Sequence, residues 1–507
     1  MASLSRFSEP WIGAVKSRRQ DGNPEFPDYP LSDPQSLIST SCPQSFQTGT
    51  GASIYTQSLL PAILTAKNEV ILVTCFWAPS STLTALKETL EELASVRRKR
   101  IQNQHAAGPD GDIVTPLRIR ICFSSRSFLQ KLFHTSSKDG FIYPPSTWTA
   151  QLGLPSQGIL EAGLINLQVK SLFFLPFSVM HPKFLIVDRQ RAWLPSCNVS
   201  WEPWLEGCVE MTGDVVSHLM TFYYSVWEAH SSEEPAADAP RRVGMQFTST
   251  PSRPPSPGSL GLTSIKSPAS HFAHLGGENA VPTILLPSSH HRNPMFRPLP
   301  WHRSPAPPRT PLNCAILRLV EMAESSIYMQ TPNLTSVTVV DAVLVALDRG
   351  VDVDIVTSKG MMLLEQIVTA GTTTSLCLKS FIKRYRKRQL AQVQRQGTQS
   401  SSGSDAAIDL EAQPPQLGSL TISYFHPDPT QKSRGVKEEP VHSHLKLTIV
   451  DDQYTVLGSG NMDRASWFTS QELGILFQST SFVKTIREVV GEALKDRLDP
   501  VFDSALC

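Results

Sequence analysis

Apolar and polar positions along the chain fall into two blocks that repeat each other. The first block runs from a helix-like SLLPAILTAK to a strand-like EVILVTCFWAP, a helical STLTALKETLEELASVRRK and a strand PLRIRICFSS. The second runs from a helix-like LNCAILRLVEMAES to the strand SIYMQTPNL, the helical VTVVDAVLVALDRG and the strand VDVDIVTS. Each block then reaches a β-rich run, INLQVKSLFFLPFSV in one and LGSLTISYF in the other. Helical and strand periods alternating in this order predict an α/β fold of two similar sandwich halves, each a mixed β-sheet flanked by helices. Apolar residues such as Val70, Ile71, Ile119 and Ile355 read as its core.

Composition breaks the chain between these blocks. Residues 231–310 are Pro- and Ser-rich, with prolines too dense for a helix or a central strand, and read as a linker. The expected layout is an N-terminal extension over 1–50, a first half over 51–230, that linker, and a second half over 311–500. A polar stretch at about 395–418 reads as a disordered insertion.

Charge is balanced, with 46 Lys plus Arg against 45 Asp plus Glu, which argues against a surface built throughout for nucleic acid. The eight cysteines show no C-x2-C pairs, so a reducing compartment is expected. No apolar run approaches a bilayer span. An intracellular protein, cytoplasmic or peripheral to a membrane, is expected. A mitochondrial address is the weaker alternative: Arg6, Lys16, Arg18 and Arg19 offer basic charge, but Glu9 and Pro10 should interrupt an early amphipathic helix.

The candidate chemistry is also duplicated. His181, Lys183 and Asp188 stand in HPKFLIVD, and His444, Lys446 and Asp451 in HLKLTIVD, at identical spacing. Ten residues beyond each Asp is an Asn, Asn198 or Asn461, and each copy then has Ser-Trp-x4-Glu: Ser200, Trp201 and Glu206, or Ser466, Trp467 and Glu472. One His-x-Lys-x4-Asp by accident has odds of roughly a few per cent in a chain of this size, but two in equivalent places of a repeat do not arise that way. In a strand, His and Lys two apart share a face. Asp, an odd number of residues from its His, falls on the other face and reads as an anchor of the strand-loop junction.

The pattern resembles the phospholipase D superfamily motif H-x-K-x4-D-x6-G-S-x-N. The second copy matches completely through Gly458, Ser459 and Asn461, whereas the first has Pro195 where the family has Gly, with Ser196 and Asn198 retained. The resemblance implies a pseudo-twofold active site between the halves, with His181, Lys183, Asp188, His444, Lys446 and Asp451 as its catalytic set. It implies His181 as nucleophile and His444 as acid, through a phosphohistidine. Phosphodiester chemistry calls for a nucleophile, fixed cations on the non-bridging oxygens and an acid for the leaving alkoxide. Lys183, Lys446, Asn198 and Asn461, with Ser200 and Ser466 as weaker candidates, would hold the phosphate, and Glu206 and Glu472 would each orient a histidine.

This scheme requires no cofactor and no metal; His290, His291 and His302 in the linker lack carboxylate or Cys partners. Two copies in one chain resemble phospholipases D and cardiolipin-synthase-like enzymes, and imply no obligate protein partner. The expected substrate is a phospholipid, hydrolysed or transferred as a phosphatidyl group to an alcohol, with peripheral membrane contact. A nuclease of the same superfamily and a non-catalytic anion-binding protein are the alternatives. FFLPF (173–177) and WEPWL (201–205) could meet a membrane interface, though core packing is favoured for both. The basic run around Lys379, Lys383, Arg384, Arg386, Lys387 and Arg388 suits nucleic acid or lipid head groups equally, and a solvated basic helix is the plainer reading.

Overall fold

The computed structural model describes residues 2–17, 29, 33–107, 114–127, 130, 140–174, 178–228, 264–276, 280–289, 306–401 and 416–506. The first half contains β1 (Ile38–Gly49), β2 (Glu69–Phe76), β3 (Leu117–Ser125), β4 (Ile165–Ser171), β5 (Phe184–Val187), β6 (Arg191–Pro195) and β7 (Trp204–Thr212). The second contains β8 (Val281–Ser288), β9 (Ser326–Thr331), β10 (Asp352–Ser358), β11 (Leu420–Phe425), β12 (Leu447–Val450), β13 (Tyr454–Gly458), β14 (Glu472–Gln478) and β15 (Leu498–Asp503). The strands line up as β4-β3-β2-β5-β6-β7-β1 in one half and β11-β10-β9-β12-β13-β14-β8 in the other. In each, three parallel strands meet an antiparallel set at the strand that follows the His-Lys pair. The expectation of two similar halves, each with a mixed sheet flanked by helices, therefore holds.

Helices cover both faces. In the first half α1 (Ala2–Lys16) precedes the sheet, α2 (Ser81–Ala107) follows β2 and α3 (Asp214–Trp227) follows β7. In the second, α4 (Pro311–Met322), α5 (Val337–Asp348), α6 (Leu363–Ala370), α7 (Thr374–Ser401), α8 (Arg464–Phe468) and α9 (Thr480–Leu494) surround the sheet. Alternate residues of β2 go to opposite cores: Val70 and Leu72 pack under α2, while Ile71 and Val73 join the core of α3. Two-sided burial of this kind is why the parallel strands read as continuous apolar runs. The α3 core extends without interruption into the second half, from Phe184 and Ile186 through Leu285 to Val353 and Phe477.

Three expectations about boundaries are corrected. The first sheet begins before residue 51, because β1 pairs with β7 from Cys42 to Gly49. Part of the expected linker is a strand: β8 pairs with β1 on one side and β14 on the other, joining the halves. Its Pro282 and Pro287 are tolerated because each lies in register with only one neighbour, Thr40 or Leu473. The expected insertion starts as helix, since α7 continues to Ser401, and residues 402–415 lie outside the described residues.

Helix α1 runs through Pro10 in spite of the expected break. An internal proline costs about 3 kcal/mol. Phe7, Trp11 and Val15, one turn apart, are almost completely buried against the second half, and burying each contributes roughly 1.5–3 kcal/mol. Trp11 Nε1 also donates to the Pro311 carbonyl over 3.0 Å, at the start of α4. Trp11→Ala should therefore lower unfolding free energy by about 3–5 kcal/mol in urea denaturation, as for a core aromatic; a loss below about 1 kcal/mol would mean that α1 is peripheral.

Candidate active site

The two His-x-Lys segments lie just upstream of β5 and β12, in extended chain that hydrogen-bonds across the interface between halves. His181 N donates to the Gln471 carbonyl (3.0 Å), and His444 N to the Leu205 carbonyl (2.8 Å). Each segment thus docks on the residue immediately before the other half's glutamate. The side chains repeat this exchange: His181 Nδ1 meets both Glu472 oxygens at 2.8 and 3.0 Å, and His444 Nδ1 meets Glu206 Oε1 at 2.8 Å. The glutamates occupy the expected His-facing positions, but each serves the histidine of the opposite half.

Behind the imidazoles, Lys183 Nζ donates to the His181 carbonyl (3.0 Å) and Lys446 Nζ to the His444 carbonyl (2.7 Å). Both lysines are buried, as are His444 and both glutamates. The groups feel one another electrostatically across the halves. Burial, then the charges of Lys446, Lys183 and His181, hold His444 well below the usual histidine range. Burial lowers His181 as well, against the pull of Glu472. Burial also drives the Lys446 ammonium down to about 7 and the Glu206 carboxyl up to about 7.

The glutamates differ. Burial pushes Glu472 up, but the His181 contact and two hydroxyls outweigh it and hold the carboxyl below its ordinary value. Those hydroxyls are Ser466 Oγ on Oε1 (2.7 Å) and Ser459 Oγ on Oε2 (2.5 Å). Glu206 receives one hydroxyl, from Ser196. Ser196 and Ser459 had no assigned role in the sequence reading; their place in the G-S-x-N segment was the available signal.

Several residues are not where the sequence suggested. Asp188 and Asp451 leave the catalytic set: Asp188 accepts from the Lys67, Asn68 and Glu69 amides, and Asp451 from those of Glu324, Ser325 and Ser326. Both sit in left-handed turns past the strand end, φ 50° and 52°, where they anchor the start of β2 or β9. The anchoring expected for these two residues is seen, but it comes from this turn and not from strand parity, because the His-x-Lys segments lie outside the strands. Ser466 does not present its hydroxyl to a ligand, because it donates to Glu472 and accepts from Asn461 N at 3.1 Å. Nor is it the counterpart of Ser200. Val199 bridges Trp77 just as Met462 bridges Leu334, which places Ser200 opposite Asp463. The longer second spacing is filled by α8, capped by Asp463 on the Ser466 amide (2.9 Å).

Asn461 Nδ2 donates to Asp463 Oδ2 (2.9 Å), whereas Asn198 Oδ1 accepts from the Phe76 amide (3.2 Å). Proline at 195 leaves the turn intact: Ser196 N donates to Gly207 O at 2.9 Å, matching Ser459 N to Leu473 O at 2.9 Å. Trp204 stacks obliquely on the His444 ring, 4.8 Å between centroids. Phe173 and Phe174 are buried core, with residues 175–177 outside the described residues, while Trp201 is exposed. His290, His291 and His302 also lie outside the described residues.

Residues 316–493 match the sequence family described as "Cardiolipin synthase, PLD-like domain". Among solved structures, the phosphatidylserine synthase of Haemophilus influenzae Rd KW20 is similar over 92% of this chain and 90% of its own, at 13% identity and a TM-score of 0.50. Nuc of Salmonella typhimurium, a phospholipase D family member, covers 37% of this chain and 89% of its own, at 15% identity and a TM-score of 0.24. No curated protein sequence matches. The sequence resemblance to a PLD-like domain is thus carried by residues 316–493, and the fold of the chain is similar to that of the phosphatidylserine synthase.

With the Lys446 ammonium lowered to about 7, its charge is present below that pH and lost above it. Affinity for dimethyl phosphate, a monoanion throughout this range, should therefore fall as pH rises through about 7 in titration calorimetry. Lys446→Arg, which stays charged, should shrink the fall to the part that Glu206 ionisation contributes, whereas a flat wild-type profile would remove Lys446 from anion binding.

Proposed function

We propose that this phospholipase-D-like chain is a phosphodiesterase that acts on phospholipids, hydrolysing them or transferring the phosphatidyl group to an alcohol. The carrying observation is the crossed pair of imidazole–carboxylate contacts over two buried lysines. Glu472, the better-stabilised carboxylate, would hold a proton on His181 Nδ1 and leave the Nε2 lone pair free for attack. The Glu206–His444 pair, with a carboxyl near 7, would keep a proton to place on the departing oxygen.

Attack of His181 Nε2 forms the P–N bond as the P–O bond to the head-group alcohol breaks, and His444 Nε2–H protonates that alcohol. Water or a second alcohol then gives its proton to His444 and displaces His181 from phosphorus. Lys183, Lys446 and Asn198 would neutralise and hold the non-bridging oxygens throughout. Phospholipid is favoured by the presence of both motifs in one chain and by the lipid-synthase description of the matched family. No described helix is long and apolar enough to cross a membrane.

The test is incubation with mixed phospholipid vesicles and a primary alcohol, with single-stranded DNA and RNA in parallel. Phosphatidic acid or phosphatidyl-alcohol should form and fall by at least about 10³-fold in His181→Ala and His444→Ala. Quenching into alkali, where a P–N bond survives, should trap phosphorus on His444→Ala but not on His181→Ala. Cleavage of nucleic acid with vesicles untouched would replace the substrate class, and no turnover of any substrate would leave a binding protein.

A further inference from the structure

Helix α6 (Leu363–Ala370) is inside out. Its buried residue is a glutamine, Gln366, which donates to the Met361 carbonyl (2.5 Å) and accepts from the Thr374 amide (2.6 Å). Its large apolar side chains face water: Leu363, Leu364, Ile367 and Val368 are 47, 77, 54 and 47% exposed. The polar tether fixes the helix to the protein and turns the apolar face outward, reversing what burial selects for in a surface helix. Left-handed residues bound it at both ends, Met362 (φ 49°) and Gly371 (φ 64°).

The next helix supplies charge. On α7, Leu378, Phe381 and Tyr385 are buried, and Tyr385 Oη donates to the Gly418 carbonyl (2.9 Å). Arg384 and Arg388 are tied to Asp341 and Asp348 of α5. The exposed positions at helical spacing are Leu376, Lys379, Lys383, Lys387 and Leu390. An apolar helix is thus followed, after a short turn, by a helix whose solvent face carries three lysines. Glu365 is the acidic residue of α6.

This surface adjoins the site. Helix α6 packs on α8, whose Ser466 holds Glu472. The Leu334 amide donates to Thr374 Oγ1 (3.1 Å), and Leu334 bridges Met462, the neighbour of Asn461. We propose that α6 and the lysine face of α7 form a docking surface for an anionic phospholipid bilayer. The four apolar side chains of α6 enter the interface and the lysines meet head-group phosphates, setting the catalytic cleft against the membrane. The choice of a bilayer rests on the phospholipid reading above and on charge: exposed apolar side chains on one helix and lysines on the helix that follows it complement an anionic lipid surface.

Flotation with vesicles of phosphatidylcholine, with and without phosphatidylglycerol, tests this on the full chain. Wild type should float with the anionic vesicles. Leu364→Glu with Ile367→Glu should weaken binding by about tenfold or more, and Lys379→Glu with Lys383→Glu should weaken it by roughly fivefold or more per lysine, for anionic vesicles only. Turnover of dispersed short-chain phospholipid should be unchanged in both variants, which also shows that they fold. Variants that float like wild type would overturn the proposal. So would a wild-type dimer that the leucine variant splits without changing flotation, which would make this face a contact between copies. Turnover of dispersed lipid without flotation of wild type sinks the surface alone, whereas flotation without turnover sinks the substrate reading and leaves the surface standing.

Discussion

Buried charge is the constraint around which this molecule is arranged. Lys183, Lys446, Glu206, Glu472 and His444 are all withdrawn from water, and no half of the chain contains a complete set of partners for its own. An isolated buried ion costs several kcal/mol even after relaxation, so each half alone would carry groups that could not stay charged. Joining the halves lets Glu472 take the His181 imidazole and Glu206 the His444 imidazole. Continuity of the hydrophobic core and the β1–β8 seam make that joining a matter of folding rather than of docking.

The fixed points of the site are backbone features. Each histidine is held through its own amide to the residue before the opposing glutamate, so imidazole and carboxylate are placed by the same pair of strands. Behind them, Asp188 and Asp451 tie the far end of each motif strand to the start of its neighbour, with carboxylate oxygens accepting successive amides. Charge-assisted bonds of this sort are strong and geometrically demanding. The conspicuous Asp of the motif is therefore part of the frame, and its spacing from His, the same in both copies, spans the His-x-Lys segment and the short strand that follows it.

Much of this was legible in the sequence because it is periodic. The repeated His-x-Lys-x4-Asp spacing marked the same strand in each half, and the matched Asn and Glu offsets marked its neighbours twice. What was not legible depended on tertiary partners. Which glutamate faces which histidine cannot be read from spacing within a half, since the contact crosses between halves. The pairing of Ser200 with Ser466 failed because a helical turn, Arg464–Phe468, fills the second spacing and moves Asp463 into the position of Ser200. Prolines misled twice: Pro10 lies in a helix held by Phe7, Trp11 and Val15, and β8 keeps both of its prolines where a single neighbour is in register.

The mismatch of Ser200 with Asp463 has a meaning in symmetry. Two identical subunits about a twofold axis present the same residues on both sides of the phosphorus atom, so one amino-acid choice must serve attack and departure alike. Here the axis is only approximate. One carboxylate has two serine hydroxyls and the other has one, and one asparagine is held by an aspartate while the other is held by a backbone amide. Carrying both half-sites on a single polypeptide frees each to be adjusted separately, so that, in the proposed reaction, a division of labour between the two imidazoles would be written into the chain instead of being chosen afresh at each encounter with substrate.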